Sequence, residues 1–331
     1  MAQSIGAYNN VSVEPKEGVE INVRGLKKYF KEIKAVDGVD LQVKKGELFG
    51  LLGPNGAGKS TMIRMLTTVL TPDAGTAIIA GLDLRKQRVE IRKLLGVCPQ
   101  EIVIVETLTA EENVTFVAQM HGIPTPLAKQ AASRLLSQLN IAGRKDRAKN
   151  FSGGMKRRLN LAMALIHNPK IIFLDEPTAG LDPQARRLVW DFIRDLKNTG
   201  STIILTTHDM VEADVLSDHI AIIDQGKIIA QGKPQELKEK FGTGNILEIQ
   251  FLHQPDLDVV KEKLQTLPFI TKVSDVGEQR VLVSFSGGLK NFVATLQQGI
   301  VEHINEVENI SFRQNTLEDV FLHLTGRRLR E

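Results

Sequence analysis

The chain of 331 residues has a single cysteine, Cys98, so it cannot form an internal disulfide and we expect it to work in a reducing compartment. It also lacks any apolar run near the roughly 18 residues that a membrane-spanning helix requires. Residues 1–20 have no apolar core of the kind that a secretory signal carries. The formal net charge of +3 is mild and gives no reason to expect a polyanion-binding surface. These absences favour a cytoplasmic protein that needs another chain for any work at a membrane.

The length and the element pattern predict about two domains. Hydrophobic residues make up 42% of the chain and charged residues 24%, which is ordinary for a globular protein. After an expected flexible tail at 1–20, strands and helices alternate over 21–241, which predicts an α/β domain with a mostly parallel sheet. The helical stretch at about 100–154 is an insertion into that sheet. Beyond Gly242-Thr243-Gly244, residues 245–331 follow the order β-α-β-β-α-β, which predicts a small α+β, ferredoxin-like domain.

The strongest signal is a glycine-rich stretch between a predicted strand and a predicted helix. Its residues are Gly53, Pro54, Asn55, Gly56, Ala57, Gly58, Lys59, Ser60 and Thr61. In that context the pattern GxxxxGK[ST] indicates a phosphate-binding loop rather than a loop that only turns the chain. The N–H groups of the turn and the positive end of the helix dipole bind the anion. We expect Lys59 to reach the terminal phosphates and Ser60 to ligate Mg²⁺, so this stretch predicts a nucleoside triphosphate site.

Two adjacent carboxylates, Asp175 and Glu176, follow the apolar stretch at 171–174. Ligands in sheets of this kind bind at the carboxyl ends of the strands, so we expect both carboxylates beside the phosphate loop rather than at an ordinary solvated strand end. Asp175 is then placed to hold Mg²⁺ through water. Glu176 is the expected general base for an attacking water, a role that typically contributes about 10²- to 10⁴-fold.

Three further polar residues have two interpretations each. Gln100 follows a predicted strand and is a second candidate ligand for Mg²⁺ or its water. His208 follows another strand and is in reach of the γ-phosphate, although a lone histidine is more often structural. Asp182 precedes Pro183 and is predicted from the residues alone as the N-cap of a helix.

A second helix start also has the character of an anion site. It consists of Ser152, Gly153, Gly154 and Met155, without a lysine. Ser152 fits an ordinary helix cap. The alternative is a phosphate cradle, and because one chain needs only one cradle per nucleotide, this one would serve a nucleotide held by a neighbouring subunit.

In combination these motifs resemble those of the ATP-binding cassette (ABC) ATPases, over roughly residues 21–331. The motifs are GPNGAGKST at 53–61, Gln100 after Cys98-Pro99, SGGM at 152–155, IIFLDEP at 171–177, Ala179-Gly180-Leu181-Asp182, and His208. The resemblance implies a P-loop cassette with an antiparallel β subdomain and an inserted helical subdomain. It also implies that two subunits pair head to tail, with residues 152–155 of each closing on the ATP held by the other.

The same resemblance implies roles for three single residues. Asp182 becomes an interface residue and His208 a sensor of the γ-phosphate. Phe30 falls where the family places an aromatic ring that stacks on adenine, and the neighbouring Tyr29 is the alternative.

The sequences SGGMKRR at 152–158 and NTLEDVFLHLTG at 315–326 resemble the branch that exports drugs, polysaccharides and lipids through a separate permease. The hypothesis is a dimer, most simply of two identical chains, that clamps two ATP molecules with Mg²⁺ and drives an integral membrane permease from the inner face of the cell membrane. No nucleic acid partner is expected. The alternatives are an importer ATPase and a cassette ATPase that acts on ribosomes or DNA without transport.

The connector that follows Gln100 is apolar, with Ile102, Val103, Ile104 and Val105 in sequence. Such residues in a connector are expected to be buried against something. They either pack into the core of this subunit or form a socket for a permease helix.

Overall fold

The computed structural model describes residues 18–241, 245–252, 262, 264, 266–275, 279–285 and 307–326. The chain divides into two compact units, with the boundary between Gly232 and Lys233. Among the described residues, no helix combines the length and the hydropathy that a membrane crossing demands. The predicted tail lies outside the described residues over 1–17, and the first strand begins at Val19.

The first unit has an α/β fold, as predicted. In chain order its strands are β1 (Val19–Phe30), β2 (Ile33–Lys44), β3 (Leu48–Leu52), β4 (Ala74–Ile79), β5 (Leu82–Asp83), β6 (Leu95–Cys98), β7 (Ile171–Asp175), β8 (Thr202–Thr207), β9 (His219–Asp224) and β10 (Lys227–Gly232). Its α-helices are α1 (Lys59–Leu66), α2 (Arg88–Leu94), α3 (Ala110–Met120), α4 (Thr125–Gln138), α5 (Gly153–Leu165), α6 (Pro183–Asn198) and α7 (Met210–Leu216).

A four-stranded antiparallel sheet has the order β2-β1-β4-β5. A tight turn joins β1 to β2, with Phe30 paired to Ile33. Along β2 the buried positions alternate with exposed ones, as expected of a strand with one face on the core. The register of the pairing between β1 and β2 shifts at several points, which interrupts the alternation along β1.

The six-stranded sheet has the order β10-β9-β3-β8-β7-β6. Neighbouring strands in this sheet are parallel except for β9 and β10, which form an antiparallel hairpin. Every residue of β3, β7 and β8 is buried, as is typical of parallel strands covered on both faces. The carboxyl ends of β3, β6, β7 and β8 therefore open on one edge of the sheet, where the candidate site residues follow.

The inserted segment is helical, as predicted, and consists of α3, α4 and the start of α5. Thr109 caps α3 with a reciprocal pair of hydrogen bonds to Glu112, which is a capping box. Helix α5 begins at Gly153, because Ser152 caps it. Apolar side chains of the three helices share one hydrophobic cluster with strands β6 and β7.

The second unit contains a four-stranded antiparallel sheet. In chain order its elements are α8 (Pro234–Phe241), β11 (Asn245–Phe251), β12 (Ile270–Asp275), β13 (Arg280–Phe285), β14 (Val307–Arg313) and α9 (Leu317–Thr325). The strand order is β12-β13-β11-β14, so β11 lies between two strands that come later in the chain. The four strands fit the predicted order β-α-β-β-α-β, whereas the segments expected to be helical lie almost entirely outside the described residues. The ferredoxin-like assignment therefore stays a prediction.

Helix α8 belongs to the second unit, although the domain boundary was predicted after it. It packs against α9, and the Asn315 side chain donates a hydrogen bond of 3.4 Å to the Lys238 carbonyl. Just before α9, Arg313 forms two hydrogen bonds to Asp319, of 2.6 and 3.1 Å. Part of the stretch 315–326 that the sequence singled out thus holds this unit together.

Candidate functional site

The glycine-rich stretch forms a tight loop between β3 and α1. Gly58 has a φ of 107°, and a Cβ there would lie 2.2 Å from the Ala35 carbonyl oxygen. A Cβ on Gly53 would lie 2.2 Å from the Ile223 carbonyl oxygen. Only glycine fits at these two positions, so the loop packs closely on its neighbours and directs the N-terminus of α1 at the cavity beside it.

Lys59 is folded into this loop. Its Nζ donates hydrogen bonds of 2.7 Å to the Gly53 carbonyl and 3.1 Å to the Pro54 carbonyl, and lies 3.3 Å from Glu176 Oε1. Burial lowers the pKa of Lys59, and the carboxylates of Glu176 and Asp175 oppose that shift. The ammonium group is therefore held by one carboxylate and by two neutral carbonyls, which a charged phosphate oxygen can replace.

Asp175 ends β7 and contacts the phosphate loop, as predicted. Its Oδ1 accepts hydrogen bonds from the Ser60 hydroxyl at 3.2 Å and from the Thr206 hydroxyl at 2.5 Å. Gln100 lines the same cavity, and its carbonyl accepts a bond of 2.6 Å from Arg157. Ser60 and Gln100 thus line one cavity and Asp175 contacts Ser60, and each of these three predicted metal ligands offers an oxygen, the donor that Mg²⁺ prefers.

Glu176 is buried and has a φ of 50°, a left-handed conformation that costs a non-glycine residue about 1–2 kcal/mol. Its N–H donates to both the carbonyl and the hydroxyl oxygen of Thr206, each at 3.1 Å. Its Oε2 lies 3.0 Å from His208 Nδ1. The strained backbone therefore turns the carboxylate away from the strand and into the site, between Lys59 and His208.

A cavity of about 850 Å³ lies over these groups. Predicted residues that line it are Asn55, Gly56, Gly58, Lys59, Ser60, Thr61, Gln100 and Glu176. Phe30 is not among the lining residues; its ring is 45% exposed at the end of β1. Tyr29 donates a hydrogen bond of 2.6 Å to Asp37.

Sequence reasoning missed part of the lining. Ile33 and Lys34 come from the start of β2, and Lys227 and Ile229 come from β10. The sequence feature that could have indicated these residues is the pair Lys34 and Lys227, because lysines near the turns of two hairpins bring positive charge to an anion site.

The remaining predicted residues form a second group, which does not line this cavity. Ser152 caps α5 and accepts a hydrogen bond of 3.3 Å from the Met155 N–H. Asp182 caps α6 and accepts two backbone N–H bonds. A Cβ on Gly154 would lie 3.3 Å from a Leu181 methyl group, so the two helix starts are neighbours. Both capping interpretations are confirmed, and both caps lie on an exposed surface.

Comparisons with known proteins agree with this geometry. Residues 36–179 match the profile of the ABC transporter family. A daunorubicin/doxorubicin resistance ATP-binding protein of Streptomyces peucetius is 38% identical over 317 residues, covering 96% of this chain and 94% of that protein. A Nod factor export ATP-binding protein of Ralstonia nicotianae is 38% identical over 312 residues, covering 94% of this chain and 95% of that protein. A solved dimeric ATP-binding cassette in a post-hydrolysis state, bound to ADP and Pi, is 26% identical with a TM-score of 0.60, covering 64% of this chain and 98% of its own.

Proposed function

The chain belongs to the ABC transporter family, and from that premise we propose that it is the ATP-hydrolysing subunit of an exporter whose permease is a separate chain. As a member of this family, it binds and hydrolyses ATP. The observation that carries the proposal is the position of the Glu176 carboxylate between Lys59 and His208, beside the cavity of about 850 Å³.

Each group at the cavity has a chemical role in this proposal. Glu176 orients the attacking water and accepts its proton. Lys59 leaves its loop carbonyls for the terminal phosphates, and His208 contacts the γ-phosphate. Ser60, Asp175 and Gln100 fit Mg²⁺, because Ser60 and Gln100 line the cavity and the Ser60 hydroxyl lies 3.2 Å from Asp175 Oδ1. Bound there, the ion offsets phosphate charge.

Phe30 is proposed to stack on adenine. It lies on the β1–β2 hairpin, and the adjacent residues Ile33 and Lys34 line the cavity. The side chain of Phe30 is exposed, so it can stack on an adenine that extends beyond the residues lining the cavity.

The second group, Ser152 to Met155 with Asp182, is proposed to bind ATP held by a second copy of the chain. Gly153 has open space around its Cα, and the α5 N-terminus is exposed, so a phosphate can approach it. Two such chains placed head to tail contain two complete sites. A γ-phosphate that contacts both subunits stabilises the closed dimer, and its loss on hydrolysis reopens it.

The apolar connector after Gln100 is proposed as the contact with the permease, at the inner face of the cell membrane. Ile102, Val103 and Val105 are 38%, 59% and 39% exposed, whereas Ile104 packs against the core of the helical segment. Ile104 thus takes the core position, and the exposure of the other three residues supports the proposed contact with a permease.

We expect Ile102→Ser with Val103→Ser to reduce transport at least tenfold while ATP hydrolysis by the isolated protein stays within about twofold, since each apolar contact is worth about 1.5–3 kcal/mol. Drug efflux from intact cells and ATPase activity of the purified protein measure the two effects. Met120→Ser, another exposed apolar residue of the inserted segment, is the control. Equal loss of hydrolysis and transport would contradict a docking role.

The transport assignment is tested by affinity purification of the tagged protein from detergent-solubilised membranes, followed by mass spectrometry. Stoichiometric recovery of one integral membrane protein supports the exporter. Recovery with ribosomes or DNA-binding factors would be compatible with ATP hydrolysis but would refute the role in transport. Uptake rather than efflux by the recovered complex would favour the importer.

A further inference from the structure

A carboxyl group outside the nucleotide cavity joins three segments of the first unit. Glu212 lies in the first turn of α7 and is completely buried. Its Oε1 accepts a hydrogen bond of 2.6 Å from the Thr178 hydroxyl and one of 2.9 Å from the Trp190 indole N–H. Its Oε2 is buried without a hydrogen bond from any residue that the structure describes. Burying a carboxyl group is costly, so a residue of this kind calls for an explanation beyond packing.

The partners of Glu212 belong to segments that carry the proposed catalytic and interface groups. Thr178 lies in the turn that begins with Glu176 and leads to Asp182. Helix α7, which carries Glu212, starts directly after the segment of His208. The bond between Thr178 and Glu212 therefore joins the turn after β7 to the helix after β8.

The start of α7 is fixed from a second side. Asp209 caps the helix by accepting the N–H groups of Val211 and Glu212, at 2.9 and 3.1 Å. Its other oxygen pairs with Arg186 of α6 at 2.9 Å. Burial raises the pKa of Glu212, and the nearby hydroxyls of Thr178 and Thr207 and the Trp190 indole oppose this only in part. An acceptor oxygen at the Oε1 position is the feature that the two observed hydrogen bonds require.

We propose that Glu212 is a positioning residue that holds His208 against Glu176 and couples His208 to the turn at 178–182. The inference rests on the proposed function, because it takes Glu176 and His208 as the groups that act on ATP. If the link between Thr178 and Glu212 is broken, the turn and α7 can move separately, and the 3.0 Å contact between His208 and Glu176 is no longer enforced. The phosphate loop lies outside this link, so ATP binding should persist.

The test compares ATP hydrolysis by full-length variants. Glu212→Leu removes the acceptor at similar volume, and Thr178→Val removes the donor. We expect each to lower kcat about tenfold while KM for ATP stays within about twofold, because each breaks the hydrogen bond that joins the turn at 178–182 to α7. Glu212→Gln keeps an acceptor oxygen and should retain kcat within about threefold. Asp191→Asn alters an exposed carboxylate on the helix of Trp190 and should match the wild type.

The chain's single tryptophan gives a second readout. Because the Trp190 N–H bonds to Glu212, its emission should shift when ATP and Mg²⁺ bind to the non-hydrolysing Glu176→Gln protein. Thr178→Val in that background should abolish the shift. This measurement does not depend on turnover, so a general loss of activity cannot imitate it.

The inference is overturned if Glu212→Leu and Thr178→Val keep the wild-type kcat, provided that thermal melting shows both variants to be folded. It is also overturned if the emission of Trp190 does not change when ATP binds. If Glu212→Leu does not fold, Thr178→Val decides in the same way. Wild-type hydrolysis by Glu176→Gln and His208→Ala would refute the proposed function itself. Loss of hydrolysis in those two variants, with none in Glu212→Leu, would refute only the role of Glu212.

Discussion

A substitution of Thr206 tests the site most directly, because its hydroxyl forms hydrogen bonds with both adjacent residues, Asp175 and Glu176. It donates to Asp175 Oδ1 at 2.5 Å and accepts from the Glu176 N–H at 3.1 Å, and the residue is completely buried. Thr206→Val has nearly the same shape and removes both bonds. The Glu176 N–H keeps its bond of 3.1 Å to the Thr206 carbonyl, so the main loss falls on Asp175.

The expected magnitude follows from the charge of the acceptor. A hydrogen bond to a charged group contributes about 1.5–3 kcal/mol, so we expect a destabilisation of about 2 kcal/mol. For a unit of this size, that corresponds to a melting temperature about 4–8 °C lower. Because Asp175 then loses the shorter of its two hydroxyl bonds and keeps that from Ser60 at 3.2 Å, we also expect ATP turnover to fall about tenfold.

Thr202→Val is the matched control. Thr202 lies on the same strand and is equally buried, but its hydroxyl accepts a neutral backbone bond of 2.9 Å from Gly46 at the far end of the strand from the site. We expect Thr202→Val to lower the free energy of unfolding by about 1 kcal/mol and the melting temperature by about 2–4 °C, without an effect on ATP turnover. Differential scanning calorimetry and a coupled ATPase assay measure both variants. Equal melting temperatures together with wild-type turnover for Thr206→Val would refute the role assigned to its hydroxyl.

Two further predictions test the packing around the nucleotide site. Gly58→Ala should lower the free energy of unfolding by about 3 kcal/mol and abolish ATP binding measured by calorimetric titration, because a positive φ and a 2.2 Å contact with Ala35 both oppose a Cβ. The control is Gly122→Ala, at a φ of 78° in open space, which should lower it by only about 1 kcal/mol. Equal costs for the two would show that the close contact is unimportant. Burial raises the pKa of Cys98 to about 12, so the thiol stays protonated at pH 8 and iodoacetamide should label it only after denaturation, as mass spectrometry would detect. Rapid labelling of the native protein would contradict the buried environment.

Much of the site could be predicted because local motifs determine it. The glycines, Lys59 and Ser60 of the loop at 53–61 are all adjacent in sequence, and the apolar run before Asp175 is short enough to favour a buried strand over a helix. That Ser60 and Asp175 lie 3.2 Å apart then follows from strands β3 and β7 ending on the same edge of the sheet.

Other features depend on register and tertiary packing, which the sequence does not reveal. The role of Thr206 follows from its pairing with Asp175 across parallel strands. Helix α7 has only seven residues and no visible period, so the burial of Glu212 could not be anticipated. Ile102 and Ile104 are chemically alike, and only the packed structure shows which one contacts the core.

The central claim is that Glu176 activates water for ATP hydrolysis in a dimer. The direct test is the steady-state ATPase rate and the solution mass of Glu176→Gln with ATP and Mg²⁺, measured by phosphate release and light scattering. A lost general base should lower the rate by about 10²- to 10⁴-fold, and the unhydrolysed ATP should retain a dimer that the wild type forms only transiently. An undiminished rate, with no ATP-dependent increase in mass, would contradict the account.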